Sequence, residues 1–313
     1  MVPSAIAVAS LVLCAALVID RLIGDPQSSF HPVALLGRFV GIWGVPSRYS
    51  PRLQRIVGVG FWAATTTIVI LPFFLFTLYA PWYLYLLIAP FLLKSCFAWR
   101  ALEEHTLAVV SAVESGVEEG REKVALLVSR DTAQLDRNHI LSAGYESMTE
   151  NLTDSIVAPL MYFSFFGIAG AAACRAANTM DAMLGYRDER KRLGWCSARM
   201  DDILNFIPAR ITAVLLLVWF AGQGRFAPAW HAMRRDGRKR PGFNGGIVMA
   251  AMAGGVGVQF EKQGVYTIGL GERTLDAAGK DILMASRAVT VMFASLACCA
   301  LFLWGALINN IGI

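Results

Sequence analysis

Apolar side chains fill long stretches of this chain, and between them acids and bases crowd together. Runs long enough to cross about 30 Å of hydrocarbon at 1.5 Å per residue cover Pro3 to Ile19, Ile56 to Tyr79, Pro81 to Ala98 and Ala288 to Leu307. These predict transmembrane helices. Two further runs are interrupted: Ile156 to Cys174 by Pro159 and several glycines, and Ile203 to Gly222 by Pro208 and Arg210. Each predicts either a full crossing or a broken or re-entrant helix, which is tolerated where irregular backbone is buried in protein or lines a cavity. From Arg100 to Val128 the pattern changes to Glu, Arg and Lys interleaved with Leu, Ala and Val, predicting an amphipathic helix outside the membrane. The expected fold is all-α and polytopic: about four transmembrane helices, two broken or re-entrant helices and an amphipathic cytoplasmic helix.

The polar loops at 20–55, 100–155, 175–202 and 224–287 all carry arginine. Cytoplasmic loops are enriched in Lys and Arg, so the preferred arrangement makes both interrupted runs re-entrant and turns every loop inward. If those runs cross as a hairpin instead, the 175–202 loop faces outward. A single membrane-embedded domain, 1–313, is expected, with its chemistry concentrated at about 129–210 and contributions from 20–40 and 241–262.

Composition agrees with this pattern. Hydrophobic residues make up 56% of the chain and charged residues 16%, with a mean hydropathy of +0.52, which excludes an ordinary soluble globule. The net charge of +5 follows from the basic loops and does not call for a nucleic-acid partner. Membrane lipid is the expected surrounding. The six cysteines show no CxxC spacing, so neither a zinc site nor a disulfide framework is indicated. Residues 2–19 resemble a signal peptide but lack a basic n-region, and Asp20 and Arg21 stand where a cleavage site would be, so a retained first span is expected.

Chemistry is concentrated where hydrocarbon makes it costly. Three groups of acids and amides recur at helical spacing: Glu150 and Asn151 with Asp154, Asn178 with Asp181, and Asp201 and Asp202 with Asn205. Residues three or four apart share a helix face, so each group can offer hard oxygens to one point, as Mg²⁺ requires. Capping and interhelical hydrogen bonding are the structural alternative. Arg130, Arg175, Arg187, Arg199 and Arg210 accompany the acids, and a guanidinium grips phosphate bidentately or neutralises a neighbouring carboxylate. Near the N-terminus lie Asp20, Gly24-Asp25-Pro26 and His31-Pro32-Val33. The Gly-rich stretch around Asn244, Gly245 and Gly246, followed by Met249 to Gly257 and Lys262, suits either close backbone approach to phosphate or close helix packing. No GxxxxGK[ST] occurs, so this is not a P-loop protein.

These residues, in this order, resemble the CobD/CbiB family of cobalamin biosynthesis, the adenosylcobinamide-phosphate synthases. The resemblance rests on Asp20, Gly24-Asp25-Pro26 and His31-Pro32-Val33; Ser129-Arg130-Asp131-Thr132; Glu146-Ser147 with Glu150-Asn151 and Asp154; and Ala158-Pro159-Leu160. It continues through Arg175 with Asn178-Thr179-Met180-Asp181, Gly185-Tyr186-Arg187, Arg199 with Asp201-Asp202 and Asn205, Pro208-Ala209-Arg210 and Met249 to Gly254. Cys174, Lys191 and Ser142 to Tyr145 depart from the family pattern.

The resemblance implies a multi-pass enzyme of the cell membrane with a cytoplasmic active site. It would join adenosylcobyric acid to (R)-1-amino-2-propanol or its O-phosphate, using ATP and Mg²⁺, with the corrinoid as substrate. Carried onto this chain, Glu150, Asp181, Asp202 and His31 are expected as catalytic groups, and Asp154, Asp181, Asp201 and Asp202 as magnesium ligands. Asp25, Arg130, Asn151, Arg175, Asn178, Arg187, Arg199, Asn205, Arg210, Asn244 and Lys262 are expected to bind substrate or ATP. Homo-oligomers or contacts with other membrane enzymes of the pathway would be the protein partners. Two other classes present similar residues: an intramembrane prenyl or alcohol-phosphate transferase, whose usual NDxxD or DGxxAR strings are absent here, and a non-enzymatic corrinoid-binding membrane protein.

Overall fold

A computed structural model of the chain describes residues 5–25, 31–186 and 188–311. Thirteen α-helices follow one another among them: α1 Ala5–Ile23, α2 Pro32–Trp43, α3 Gln54–Tyr79, α4 Trp82–Lys94, α5 Trp99–Ser115, α6 Val117–Ala125, α7 Arg137–Leu152, α8 Ala158–Leu184, α9 Trp195–Leu204, α10 Phe206–Gly222, α11 Phe226–Asp236, α12 Gly245–Val256 and α13 Leu275–Ile311. A π-helical turn, Thr153–Val157, separates α7 from α8, and an antiparallel hairpin of β1 Gln259–Lys262 and β2 Tyr266–Gly269 precedes α13.

The protein is an all-α polytopic membrane protein. Among the described residues four helical stretches are long and apolar enough to cross a bilayer: Gln54–Tyr79, Trp82–Ser115, Arg137–Leu184 and Leu275–Ala306. Trp195–Leu204 with Phe206–Gly222 makes a fifth if that broken pair is one span. The first expected span is helical as α1; it begins beside residues outside the description and is not among the four. On α3 most apolar side chains are exposed, among them Ile56, Phe74 and Leu78, as suits a helix bathed in lipid.

The chain divides into two compact units. The first comprises Met1–Ala98, Ala158–Asn205 and Ala294–Ile313; the second comprises Trp99–Val157 and Phe206–Phe293. In the first, Leu36, Val40 and Trp43 of α2 pack with Ala176, Met180 and Leu184 of α8 and with Leu193. In the second, α12 is buried almost throughout. Its small residues are there for packing: a Cβ on Gly255 would fall 2.1 Å from the Phe220 ring of α10, and one on Gly254 would fall 2.4 Å from Ala232 of α11. Of the two uses open to this Gly-rich stretch, close helix packing accounts for both positions.

Several sequence expectations need correction. The amphipathic segment is two helices, because Gly116 takes an extended conformation between α5 and α6. The interrupted runs are indeed broken, but not at their prolines. Pro208 lies in the first turn of α10, where a missing N–H costs nothing, and Pro159 follows on the π-helical turn, where the regular helical ladder is already interrupted. The breaks fall at Gly167, whose φ of 63° no L-residue adopts readily, and at Asn205. The hairpin was not foreseen.

Replacing Gly255 with Leu should drive a side chain into Phe220 at a cost of about 1–3 kcal/mol. A lower melting temperature in detergent is expected, whereas Gly60→Ala, which meets nothing within 4 Å, should melt like the parental protein.

Candidate active site

In the second unit, α7, the hairpin and the segment after α11 enclose a polar cavity of about 240 Å³. Helix α7 supplies Glu146, Ser147, Glu150 and Asn151, a set spaced to lie along one helix face. The hairpin supplies Lys262 and Tyr266, which are cross-strand partners at its turn, and the remaining walls include Arg130 and Arg240. Gly264, at φ 70°, makes that turn possible.

Glu146 organises this site. Its carboxylate, only 3% exposed, accepts from Ser142 Oγ at 2.6 Å, from Arg130 Nη2 at 2.6 Å and from the Tyr266 hydroxyl. Ser142 Oγ in turn accepts the Glu261 N–H at 2.8 Å, and Arg130 Nη1 donates to the Glu261 carbonyl at 3.3 Å. The hairpin is thereby tied to α7 through the Glu261 backbone on β1 and the Tyr266 side chain on β2. Burial, and then the adjacent Glu146 charge, pushes the Tyr266 phenol up, so it stays a donor.

Glu150, one turn on, pairs with Arg240. Burial opposes the Arg240 charge, but Glu150, Tyr266 and Asp154 outweigh it. Asn151 donates to the Ser147 carbonyl at 2.9 Å and accepts from Ser155 Oγ at 3.1 Å. Lys262 differs from these neighbours: among the described residues its ammonium has no hydrogen bond or ion pair. Burial, with Arg130 and Arg240 close by, lowers its affinity for a proton.

The basic run before this site is shared out. Arg235 Nη2, Lys239 Nζ and the Gly269 N–H all bind the fully buried Asp236 carboxylate, at 2.6, 2.7 and 2.9 Å, which fastens the end of β2 to α11. Of the basic side chains in the 234–240 run, Arg240 lines the cavity. Burial would raise the Asp236 carboxyl, but these donors outweigh it and hold it well below the usual range.

Other expected site residues in this unit are committed elsewhere. Arg210 donates to Asn244 Oδ1 at 2.7 Å and to the Phe243 and Phe206 carbonyls at 3.0 and 2.9 Å, with the Phe206 ring 3.6 Å from its guanidinium carbon. Arg210 and Asn244 thus form a clamp between α10 and the start of α12.

In the first unit, Asp25 pairs with Lys94, and His31 Nε2 lies 3.5 Å from the same carboxylate. Lys94 Nζ is 3.9 Å from Asp20. His31 also caps α2, its Nδ1 accepting from the Val33 N–H at 3.3 Å. Burial lowers its proton affinity, and Lys94 and Arg175 add to the effect while Asp25 opposes it. Arg175 lies on α8 beside a second cavity, about 410 Å³ and lined chiefly by apolar side chains such as Leu36, Phe39 and Val69. Asn178 is half-buried on α8, and the Asp181 carboxylate lies over Gly185, where a Cβ would be 1.9 Å from its Oδ1. Arg199 and Asp202 form an exposed pair at 3.3 Å. Asp201 and Asn205 mark the end of α9, and the buried Asn205 carboxamide has no hydrogen-bond partner among the described residues. Arg187 lies outside the described residues.

Among the described residues no group of three or more Asp, Glu, His or Cys is gathered to hold a metal ion. Of the site residues proposed from sequence, Arg130, Glu150, Asn151 and Lys262 line one pocket. Glu146, Arg240 and Tyr266 were missed as site residues, although Ser142, Glu146 and Glu150 recur at intervals of four and so share a helix face.

The pattern of the family described as "CobD/Cbib protein" matches residues 13–292. The chain belongs to this family. Among its relatives is the "Probable cobalamin biosynthesis protein CobD" of Methanothermobacter thermautotrophicus, 42% identical over 82% of this chain and 86% of the relative. The protein of the same description from Thermococcus kodakarensis is 44% identical over 80% and 82%. The "Cobalamin biosynthesis protein CobD" of Dehalococcoides mccartyi is 35% identical over 83% and 86%. No solved structure matches. Every residue of the polar cavity falls within the span matched by the CobD/Cbib pattern.

The Asp236 knot gives this CobD/Cbib chain a pH signature. A carboxyl held low in the folded state stabilises the fold above its unfolded pKa of about 3.9, and that contribution is lost as pH falls further. Asp236→Asn should melt several degrees below the parental protein at pH 7, and the gap should narrow as the pH drops below about 4 in thermal melts.

Proposed function

We propose that the chain acts in cobalamin biosynthesis as an acid–amine ligase of the cell membrane, joining adenosylcobyric acid to (R)-1-amino-2-propanol or its O-phosphate at the expense of ATP. The observation that carries this reading is the polar cavity of the second unit, where three cations and two carboxylates meet around about 240 Å³, enough for a small charged substrate but not a corrinoid. Family membership and the cobalamin-pathway descriptions of its relatives support the same reading. The basic loops favour a cytoplasmic face for the site.

A carboxylate resists attack by an amine, so the propionate must first be activated as an acyl phosphate. Arg130 and Arg240, which line the cavity, would meet phosphate or carboxylate oxygens entering it, and Glu150 would attract an ammonium. Glu146 is committed to holding the hairpin and acts through the residues it positions. Asp154, Asp181, Asp201 and Asp202 remain the carboxylates proposed for magnesium, which when bound with nucleotide would neutralise developing phosphoryl charge. Arg175, Arg187 and Arg199 are the further phosphate ligands proposed from sequence. Arg210 and Asn244, already bound to each other, would shape the wall of the site rather than contact phosphate.

Purified protein given cobyric acid, ATP and aminopropanol should yield a corrinoid heavier by the amine less one water, with one ADP per product, by mass spectrometry. Asp181→Asn and Asp202→Asn should abolish ligation while inserting normally. Corrinoid or amine uptake into proteoliposomes without nucleotide consumption would instead identify a transporter.

A further inference from the structure

An amine reaches its acyl partner as an ammonium, which has no lone pair, so amide ligation needs a group that removes one proton from it. The charged groups facing the polar cavity are Arg130 from the segment before α7, Glu146 and Glu150 from α7, Arg240 from the segment after α11, and Lys262 and Tyr266 from the hairpin. Most are unsuited to the task. Glu146 already accepts three hydrogen bonds. Glu150 is held by Arg240, and a carboxylate paired with a guanidinium is a weak base. Tyr266 is a donor to Glu146, and the arginines stay protonated.

Lys262 remains. Its position on β1 faces Tyr266 across the hairpin turn, and its ammonium makes no ion pair or hydrogen bond among the described residues. Burial, and the two guanidinium groups that share the cavity with it, disfavour a positive charge on its amine, with Glu146 and Glu150 opposing them.

We propose that Lys262 is the general base that takes a proton from the incoming ammonium. The inference rests on the ligase reading and adds to it a catalytic role for a residue that sequence analysis assigned to binding. The Lys262 Nζ lone pair accepts one ammonium proton. The freed amine attacks the acyl carbon, the C–N bond forms, and the bond from that carbon to the phosphate oxygen breaks. Phosphate departs with the electron pair, and the second N–H proton leaves to the departing phosphate or to water. Glu150 holds the ammonium beside Lys262 before transfer.

Hydroxylamine separates this role from simple binding, because it is uncharged at neutral pH and needs no base to attack an acyl phosphate. The full-length protein in detergent would be supplied with cobyric acid, ATP and either hydroxylamine or aminopropanol. Lys262→Met is expected to form the hydroxamate within about twofold of the parental rate while ligation of aminopropanol at pH 7 falls by about 100-fold or more. Lys262→Arg, which keeps the charge but cannot serve as base, should show the same split, and its residual ligation should rise with pH toward the range where the amine deprotonates unaided. The parental rate should rise with pH through the depressed Lys262 titration. Parental-rate ligation of aminopropanol by Lys262→Met overturns the proposal. So does equal loss of hydroxamate and amide, which would mark Lys262 as a binding or structural group. Absence of hydroxamate from the parental protein overturns the ligase reading and this inference with it.

Discussion

A carboxylate removed from water must find donors for its oxygens or lose its charge, and Glu146 finds them on three separate pieces of chain. Ser142 reaches it from the previous turn of α7, Arg130 from the segment before that helix, and Tyr266 from the hairpin. A two-stranded hairpin has little stability of its own. Its position against α7 depends on this carboxylate and on the Glu261 contacts organised around it. Because Lys262 and Tyr266 ride on the hairpin, Glu146 helps set where both stand against α7. A second buried carboxylate, Asp236, fastens the far end of β2 and leaves Arg240 as the member of its basic cluster that faces the cavity.

Such a network suits a protein that works beside hydrocarbon. Ionisable groups are costly there unless each is paired or hydrogen-bonded, and most of those in the second unit are: Glu103 with Arg287, Arg273 with Asp281, Arg137 with Asp276. Lys262 departs from that pattern, with no ion pair or hydrogen bond among the described residues, and a titratable group left without a partner in a polar cavity is a candidate for chemistry. Arg210 illustrates the opposite case, a conspicuous guanidinium beside an apolar run whose donors are taken by carbonyls and a carboxamide.

The apolar runs made the helical, polytopic fold legible, since backbone groups in lipid must be satisfied within a helix. Helix breaks were harder to place. Pro159 and Pro208 look like breakers in sequence, yet Pro208 is at home in a first helical turn and Pro159 sits behind a π-helical turn, while the discontinuity at Gly167 depends on a backbone angle that composition does not reveal. The hairpin escaped notice because strands of four residues carry too little alternation to stand out among glycines and charges. Sequence spacing correctly placed Glu150 and Asn151 on one helix and brought Lys262 under suspicion. It could not reveal Arg240 or Tyr266 as their neighbours, because those contacts span 90 and 120 residues of chain. Nor could spacing tell which acids and arginines would be spent on each other, as Arg199 and Asp202 are.

The dependence of the cavity on one carboxylate is open to direct measurement. Amide hydrogen exchange across residues 259–269 of the full-length protein in detergent, compared between the parental chain and Glu146→Gln, reports whether the hairpin is held by that side chain. The account requires exchange at these amides to quicken by about tenfold or more in the variant, while α12 keeps its protection. Unchanged protection of the hairpin would contradict it, since the strands would then hold their place without the contacts from which the site is built.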